Sequence, residues 1–182
     1  MRVITGSARG KKLITLEGDD VRPTTDIVKE ALFSIIQFEL EGRRVLDLFG
    51  GSGQLAIEAL SRGAQNAVIV DMSKKSIDII KKNLEHTGFT KDAVVIQSDA
   101  LSFLSRRTEK YDIAFLDPPY SMGLIEEALP RVVELMSSSG VIICEAPFKD
   151  ELPEAVGDFA LQKKYRYGKT GLFLYRRATQ ED

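Results

Sequence analysis

Polar and apolar positions change their period along the chain, and the changes divide it into elements. Val3 to Leu16 holds two short apolar stretches around Gly6-Ser7-Ala8-Arg9-Gly10, which predicts an N-terminal β-hairpin with a glycine-containing loop. Arg22-Pro23-Thr24-Thr25-Asp26 then ends the extended chain, with Thr24 or Thr25 positioned to cap a helix. In that helix Ile27, Ala31 and Ile35, with Val28, Leu32 and Ile36 beside them, recur at helical spacing. From Arg43 onward, apolar runs of strand length alternate with helix-compatible stretches. The runs are Arg44 to Leu48, Asn66 to Val70, Ala93 to Gln97, Asp112 to Leu116 and Gly140 to Cys144. Continuous apolar strands between amphipathic helices are what a parallel sheet covered on both faces requires. Ala160 to Tyr167 and Gly171 to Arg176 flank Gly168-Lys169-Thr170, a C-terminal antiparallel hairpin closing one edge. The expected class is α/β: a mostly parallel seven-stranded sheet with helices on both faces, plus the N-terminal hairpin.

Composition narrows this picture. At 182 residues, with 43% hydrophobic and 29% charged positions, the chain reads as one ordinary domain: residues 1–22 a hairpin extension, residues 23–182 the core. No apolar run approaches the ~20 residues that cross a bilayer. Met1-Arg2-Val3-Ile4-Thr5-Gly6 lacks a signal peptide's apolar stretch. A cytoplasmic protein without a membrane partner is expected. The single cysteine, Cys144, sits in an apolar run and reads as a core residue. His86, the single histidine, falls at a predicted helix end, and with no second histidine or spare thiol no metal is expected.

Net charge is −2, but its distribution is uneven. Leu161 to Arg177 contains six basic residues (Lys163, Lys164, Arg166, Lys169, Arg176, Arg177) and no acidic one. The N-terminal segment adds Arg2, Arg9, Lys11, Lys12 and Arg22 against Glu17, Asp19 and Asp20. Each residue alone is an ordinary solvated charge; together they outline a surface that faces phosphate. Tyr165 and Tyr167 are read equally as stacking residues and as the alternation of an edge strand.

Two motifs carry chemistry. In Val45-Leu46-Asp47-Leu48-Phe49-Gly50-Gly51-Ser52-Gly53 a strand passes through a glycine turn into a helix, a place where backbone approaches a ligand at the carboxyl end of a sheet. Gly51-Ser52-Gly53-Gln54-Leu55-Ala56 also fits a dinucleotide fingerprint, with Asp71 at the distance of a ribose-binding acid. Asp47 separates the two readings: a carboxylate there repels a pyrophosphate and holds an ammonium group, which S-adenosylmethionine carries. Asp71 and Asp99 each follow a strand on the same edge, and each also has the ordinary reading of a helix N-cap.

The second motif is Asp117-Pro118-Pro119-Tyr120, directly after a strand. Adjacent prolines stiffen the loop before substrate arrives. An exocyclic amine on a nucleobase is a poor nucleophile because its lone pair is delocalised into the ring. Hydrogen bonds to the Asp117 carboxylate and the Pro118 carbonyl free that lone pair and stabilise the positive charge that grows on nitrogen. Tyr120 offers a flat face for an unstacked base.

The first motif resembles motif I of the Rossmann-like class I methyltransferases, and the second is similar to the [D/N]-P-P-[Y/F] motif of nucleobase amino-methyltransferases. With Arg9-Gly10, Arg22-Pro23-Thr24-Thr25-Asp26 and Glu58-Ala59-Leu60-Ser61-Arg62-Gly63-Ala64, the resemblance covers nearly the whole chain and is to the bacterial RsmD family. It implies a class I fold with S-adenosyl-L-methionine as cofactor. The methionine moiety would lie against Asp47, Phe49, Gly50, Gly51, Ser52 and Gly53, the ribose on Asp71, and the adenine against Met72, Asp99 and Ala100. Asp117, Pro118, Pro119 and Tyr120 would be catalytic. Arg9, Arg22, Thr24, Lys163, Lys164, Arg166 and Lys169 would meet the substrate, the N2 amino group of a guanine in 16S ribosomal RNA, within a small subunit or an assembly intermediate. Phe49-Gly50 departs from a pair that ends in alanine in many members. The residues alone leave open guanine N2 and adenine N6, in RNA or DNA, and a non-catalytic nucleotide-binding module.

Overall fold

The computed structural model describes residues 1–17, 25–119 and 123–179. Arg22, Thr24 and Tyr120 lie outside them. Within the described residues one sheet of eight strands runs in the order β3-β2-β1-β4-β5-β8-β7-β6. Strands β1 (Arg44–Asp47), β2 (Asn66–Asp71), β3 (Ala93–Gln97), β4 (Tyr111–Leu116) and β5 (Met136–Pro147) are parallel to their neighbours in this set. Two further strands, β7 (Phe159–Tyr167) and β8 (Thr170–Arg177), form an antiparallel hairpin, and β8 pairs antiparallel with β5. The eighth strand, beyond the seven expected, is the two-residue edge piece β6 (Ala155–Val156), too short to leave a pattern.

Successive side chains of a strand point to opposite faces, and here both faces are dry. Val45, Ile69, Ile113, Phe115 and Ile143 pack with α1 (Asp26–Ile35), α2 (Gln54–Ser61) and α3 (Lys74–Thr87). Leu46, Leu48, Val70, Ala114, Leu116, Ile142 and Cys144 pack with α4 (Ala100–Ser105) and α5 (Leu124–Glu134). This is why the central strands read as unbroken apolar runs, and why Cys144 is a core residue. The strand order reverses between β1 and β4, and the crevice at their carboxyl ends is where an open α/β sheet receives a ligand.

The helix that starts after Thr25 forms as expected, with the Thr25 hydroxyl accepting from the Val28 amide at 3.3 Å. Its buried face is rotated from the Ile27-Ala31-Ile35 stripe: Val28, Lys29, Leu32, Phe33 and Ile36 are buried, and Ile27 is 73% exposed.

The N-terminal hairpin is reduced to a single antiparallel bridge, Arg2 to Lys12, in place of two strands. The segment spends its hydrogen bonds on α2. Glu58, fully buried, accepts from the Ile4 and Thr5 amides at 2.9 and 3.0 Å. Ser7 and Ala8 donate to the Ser61 carbonyl and hydroxyl at 2.8 and 3.0 Å. Buried Lys29 donates to the Arg2 carbonyl at 2.9 Å; burial lowers its pKa, and Glu58 and Asp26 oppose that. Arg62 completes the group, donating to Glu58 at 3.0 Å while its guanidinium lies over the Phe33 ring. Removing one member of a buried ionic group leaves the others uncompensated. Glu58→Ala is therefore expected to lower the unfolding free energy by about 3–5 kcal/mol, read as a fall in the urea midpoint at unchanged slope.

Candidate active site

At the carboxyl end of β1 the chain must leave the sheet, turn and start α2 within a few residues. Gly51 and Gly53 do this at φ of +60° and +81°, where a side chain would be strained. Gly50 has a different reason to be glycine: a Cβ there would stand 2.5 Å from Ile69 Cγ2. Ile69 fills the room that a side chain at this position would take. The turn is braced from β2, because one Asp71 oxygen accepts from the Gly51 amide at 2.9 Å. The other accepts from Ser73, also at 2.9 Å. Ser73, not Asp71, caps α3. Asp99 does cap α4, accepting from the Ser102 amide at 3.0 Å, and hydrogen bonding from the Ser102 side chain, then from its amide, holds its carboxyl below the usual range. Ala100 is buried as the first residue of α4, while Met72 projects an apolar side chain, 72% exposed, from the end of β2.

Asp47 is the strained member of this group. It is 1% exposed, and neither of its oxygens has a well-formed hydrogen bond among the described residues. The Ala56 amide in the first turn of α2 favours the ionised form without offsetting burial. Burial, followed by the charges of Asp117 and Asp71, pushes its pKa up to about 7. The buried Oε1 of Gln54 is likewise without a donor among the described residues. One carboxylate, Asp47, and one amide oxygen held without donors among the described residues suit a cationic, donor-rich ligand such as the ammonium end of S-adenosylmethionine. They do not suit a pyrophosphate.

Asp117 follows β4, the strand paired with β1, so the two carboxylates stand at adjacent strand ends. Asp117 and Pro118 are half-buried and Pro119 is exposed. On the far side of β5, Arg166 pairs with Gly171 and Gly171 with Ala146, one residue beyond the level of Asp117. Lys164 and Arg166 therefore reach the same edge, with Lys164 over the Phe148 and Phe173 rings at 4.3 and 4.8 Å and Arg166 over Phe148 at 5.0 Å. Lys169 is in the exposed turn beside them and its carbonyl accepts from Phe148. Lys163 lies on the opposite face, over the Tyr165 ring. Arg9 is at the other end of α2, next to the Ser7 and Ala8 bonds to Ser61, and is not brought to the edge that carries Asp117.

Three residues of this region went unread in the sequence. Asn83, 1% exposed, donates to the carbonyls of Ser52 and Ile14, both at 2.9 Å, and accepts from the Ile14 amide at 2.8 Å. It ties the N-terminal segment to the glycine turn, and the Ser52 hydroxyl reaches Met1 sulfur at 3.9 Å. The signal was present as an amide on the apolar stripe of Ile77, Ile80, Leu84 and Thr87. Gln54 left a fainter signal, as a polar residue in an otherwise apolar helix start; Phe148 left none.

Comparison with known proteins finds similarity over nearly the whole chain. The family model described as conserved hypothetical protein 95 matches residues 1–176. YlbH of Bacillus subtilis (strain 168), provisionally named an rRNA methyltransferase, is 41% identical over 97% of this chain and 99% of its own. Ribosomal RNA small subunit methyltransferase D of Escherichia coli (strain K12) is 34% identical over 99% and 91%. The solved structure of yhhF from Escherichia coli, a provisionally named methyltransferase, superposes with a TM-score of 0.88 at 32% identity, covering 99% of both chains.

The raised Asp47 pKa has a measurable consequence. Its folded value, about 7, lies above the ordinary 3.8, so the stability of its protonated form is full below that ordinary value and is lost as pH rises toward 7. In the cofactor-free protein the loss amounts to about 4 kcal/mol at most. Asp47→Asn is expected to remove this decline. Denaturant unfolding at pH 5 and pH 8 should show the variant overtaking wild type at the higher pH.

Proposed function

The chain belongs to the RsmD family, and from that premise we propose that it methylates the N2 amino group of a guanine in 16S ribosomal RNA, using S-adenosyl-L-methionine. The observation that carries the proposal is the juxtaposition of Asp117-Pro118-Pro119 with buried Asp47 and its glycine turn, on neighbouring strands at the crevice. The names of the relatives support ribosomal RNA as the substrate. S-adenosylmethionine supplies, when bound, a methyl group on an electrophilic sulfonium.

The chain's own residues do the rest. Asp47 and the turn Phe49, Gly50, Gly51, Ser52 and Gly53 hold the methionine end, with Asp71 toward the ribose and Met72, Asp99 and Ala100 toward the adenine. The Asp117 carboxylate and the Pro118 carbonyl accept the two N–H groups of the guanine amine. They direct its lone pair and stabilise the charge that forms on nitrogen; Asp117 or solvent then removes the proton. Pro119 keeps this loop in shape, and Tyr120 stacks on the base. Lys164, Arg166 and Lys169 take RNA phosphates, with Lys163 and Arg9 farther off and Arg22 and Thr24 at the entrance. A small ribosomal subunit or an assembly intermediate in the cytoplasm is the partner.

Transfer of labelled methyl to small subunits from cells lacking this protein, followed by nucleoside analysis, tests the reading. Wild type should yield N2-methylguanosine, and Asp117→Ala should be slower by about 100-fold or more. Label in N6-methyladenine would replace the guanine assignment; cofactor binding with no label in any nucleic acid would favour a binding module. Lys164→Glu with Arg166→Glu is expected to raise KM for RNA and flatten its salt dependence, leaving cofactor affinity unchanged.

A further inference from the structure

The end of β1 and the start of α2 hold acceptor oxygens that the fold leaves unused among the described residues. Among the described residues, three buried side-chain oxygens lack a hydrogen-bond donor: both of Asp47 and Oε1 of Gln54. They belong to the end of β1 and the start of α2, and the Ala56 amide, two residues after Gln54, is the group that reaches Asp47. Three backbone carbonyls of the turn are already engaged. Gly50 accepts from the Gly53 amide, Ser52 from Asn83, and Gly53 from the Ile57 amide. Gln54 is 7% exposed, so water does not readily substitute for the missing donor. An acceptor kept in this state gives the cofactor-free protein nothing.

An ammonium group presents three N–H donors and no acceptor. We propose that Gln54 is a cofactor-binding residue whose Oε1 joins the two Asp47 oxygens in receiving the amino-acid ammonium of S-adenosylmethionine, so that the cofactor is selected by its α-amino group. The inference rests on the proposed cofactor site and adds to it a residue outside the glycine motif. Neutral Gln54 supplies an acceptor without a further negative charge next to Asp47, Asp71 and Asp117, whose mutual repulsion already disfavours ionised Asp47.

Gln54→Met keeps the length of the side chain and removes the acceptor. The test is calorimetric titration of wild type and Gln54→Met with S-adenosylhomocysteine and with its deaminated analogue, in which hydrogen replaces the amino group, together with thermal melting of the ligand-free proteins. The variant is expected to melt at or above the wild-type temperature and to bind S-adenosylhomocysteine about tenfold more weakly. It should bind the deaminated analogue as wild type does. Equal weakening toward both ligands, unchanged affinity for S-adenosylhomocysteine, or a variant that melts several degrees lower would each overturn the inference. A wild-type protein that binds neither ligand would overturn the cofactor reading and this inference with it.

Discussion

A carboxylate is costly to bury, and Asp47 is buried at the place where the strand order reverses, beside two other carboxylates and with no donor of adequate geometry among the described residues. The surroundings make sense as consequences of that constraint. The apolar strands on either side secure the end of β1 from both faces of the sheet, so the carboxylate cannot withdraw into solvent. Asp71 is occupied in bracing the turn and Asp99 in capping a helix. The fold thus holds its acids apart by giving two of them structural duties and leaving Asp47 with an unmet demand.

The second dependency runs through the N-terminal segment. It is attached at one end of α2 by Glu58 and Ser61, and at the other end of its course by Asn83, which grips Ile14 and the Ser52 carbonyl together. A segment that reads as a hairpin extension is an outer layer for α2 and α3. It buries charged groups because they satisfy its backbone amides, and it rests on the turn that lines the crevice.

The parallel strands and the two motifs were legible because their causes are local: unbroken apolar runs, a glycine turn with a fixed spacing, two adjacent prolines after an acid. What escaped depended on contacts between distant residues. The face that α1 buries is chosen by Phe33 and Lys29, and nothing nearby in the chain marks Ile27 as the exposed one. Arg9 looked like a partner for the C-terminal basic residues by composition, yet the bonds of Ser7 and Ala8 to Ser61 put it at the opposite end of α2. Asn83 could have been suspected from its position on an apolar stripe, but its partners, 31 and 69 residues away, could not.

The place of β8 in the sheet carries a consequence for how the chain folds. It lies between β5 and β7 although it follows both in sequence, so the sheet beyond β5 stays open until β8 has been made. Until then β5 exposes an apolar edge, the kind of surface that invites pairing with another chain. Lys164 and Arg166 also have no fixed relation to the crevice before that strand arrives, since β8 is what joins β7 to β5. During synthesis, then, the half of the sheet that carries the glycine turn can become ordered well before the half that carries the basic residues, and closure of the sheet is what couples the two.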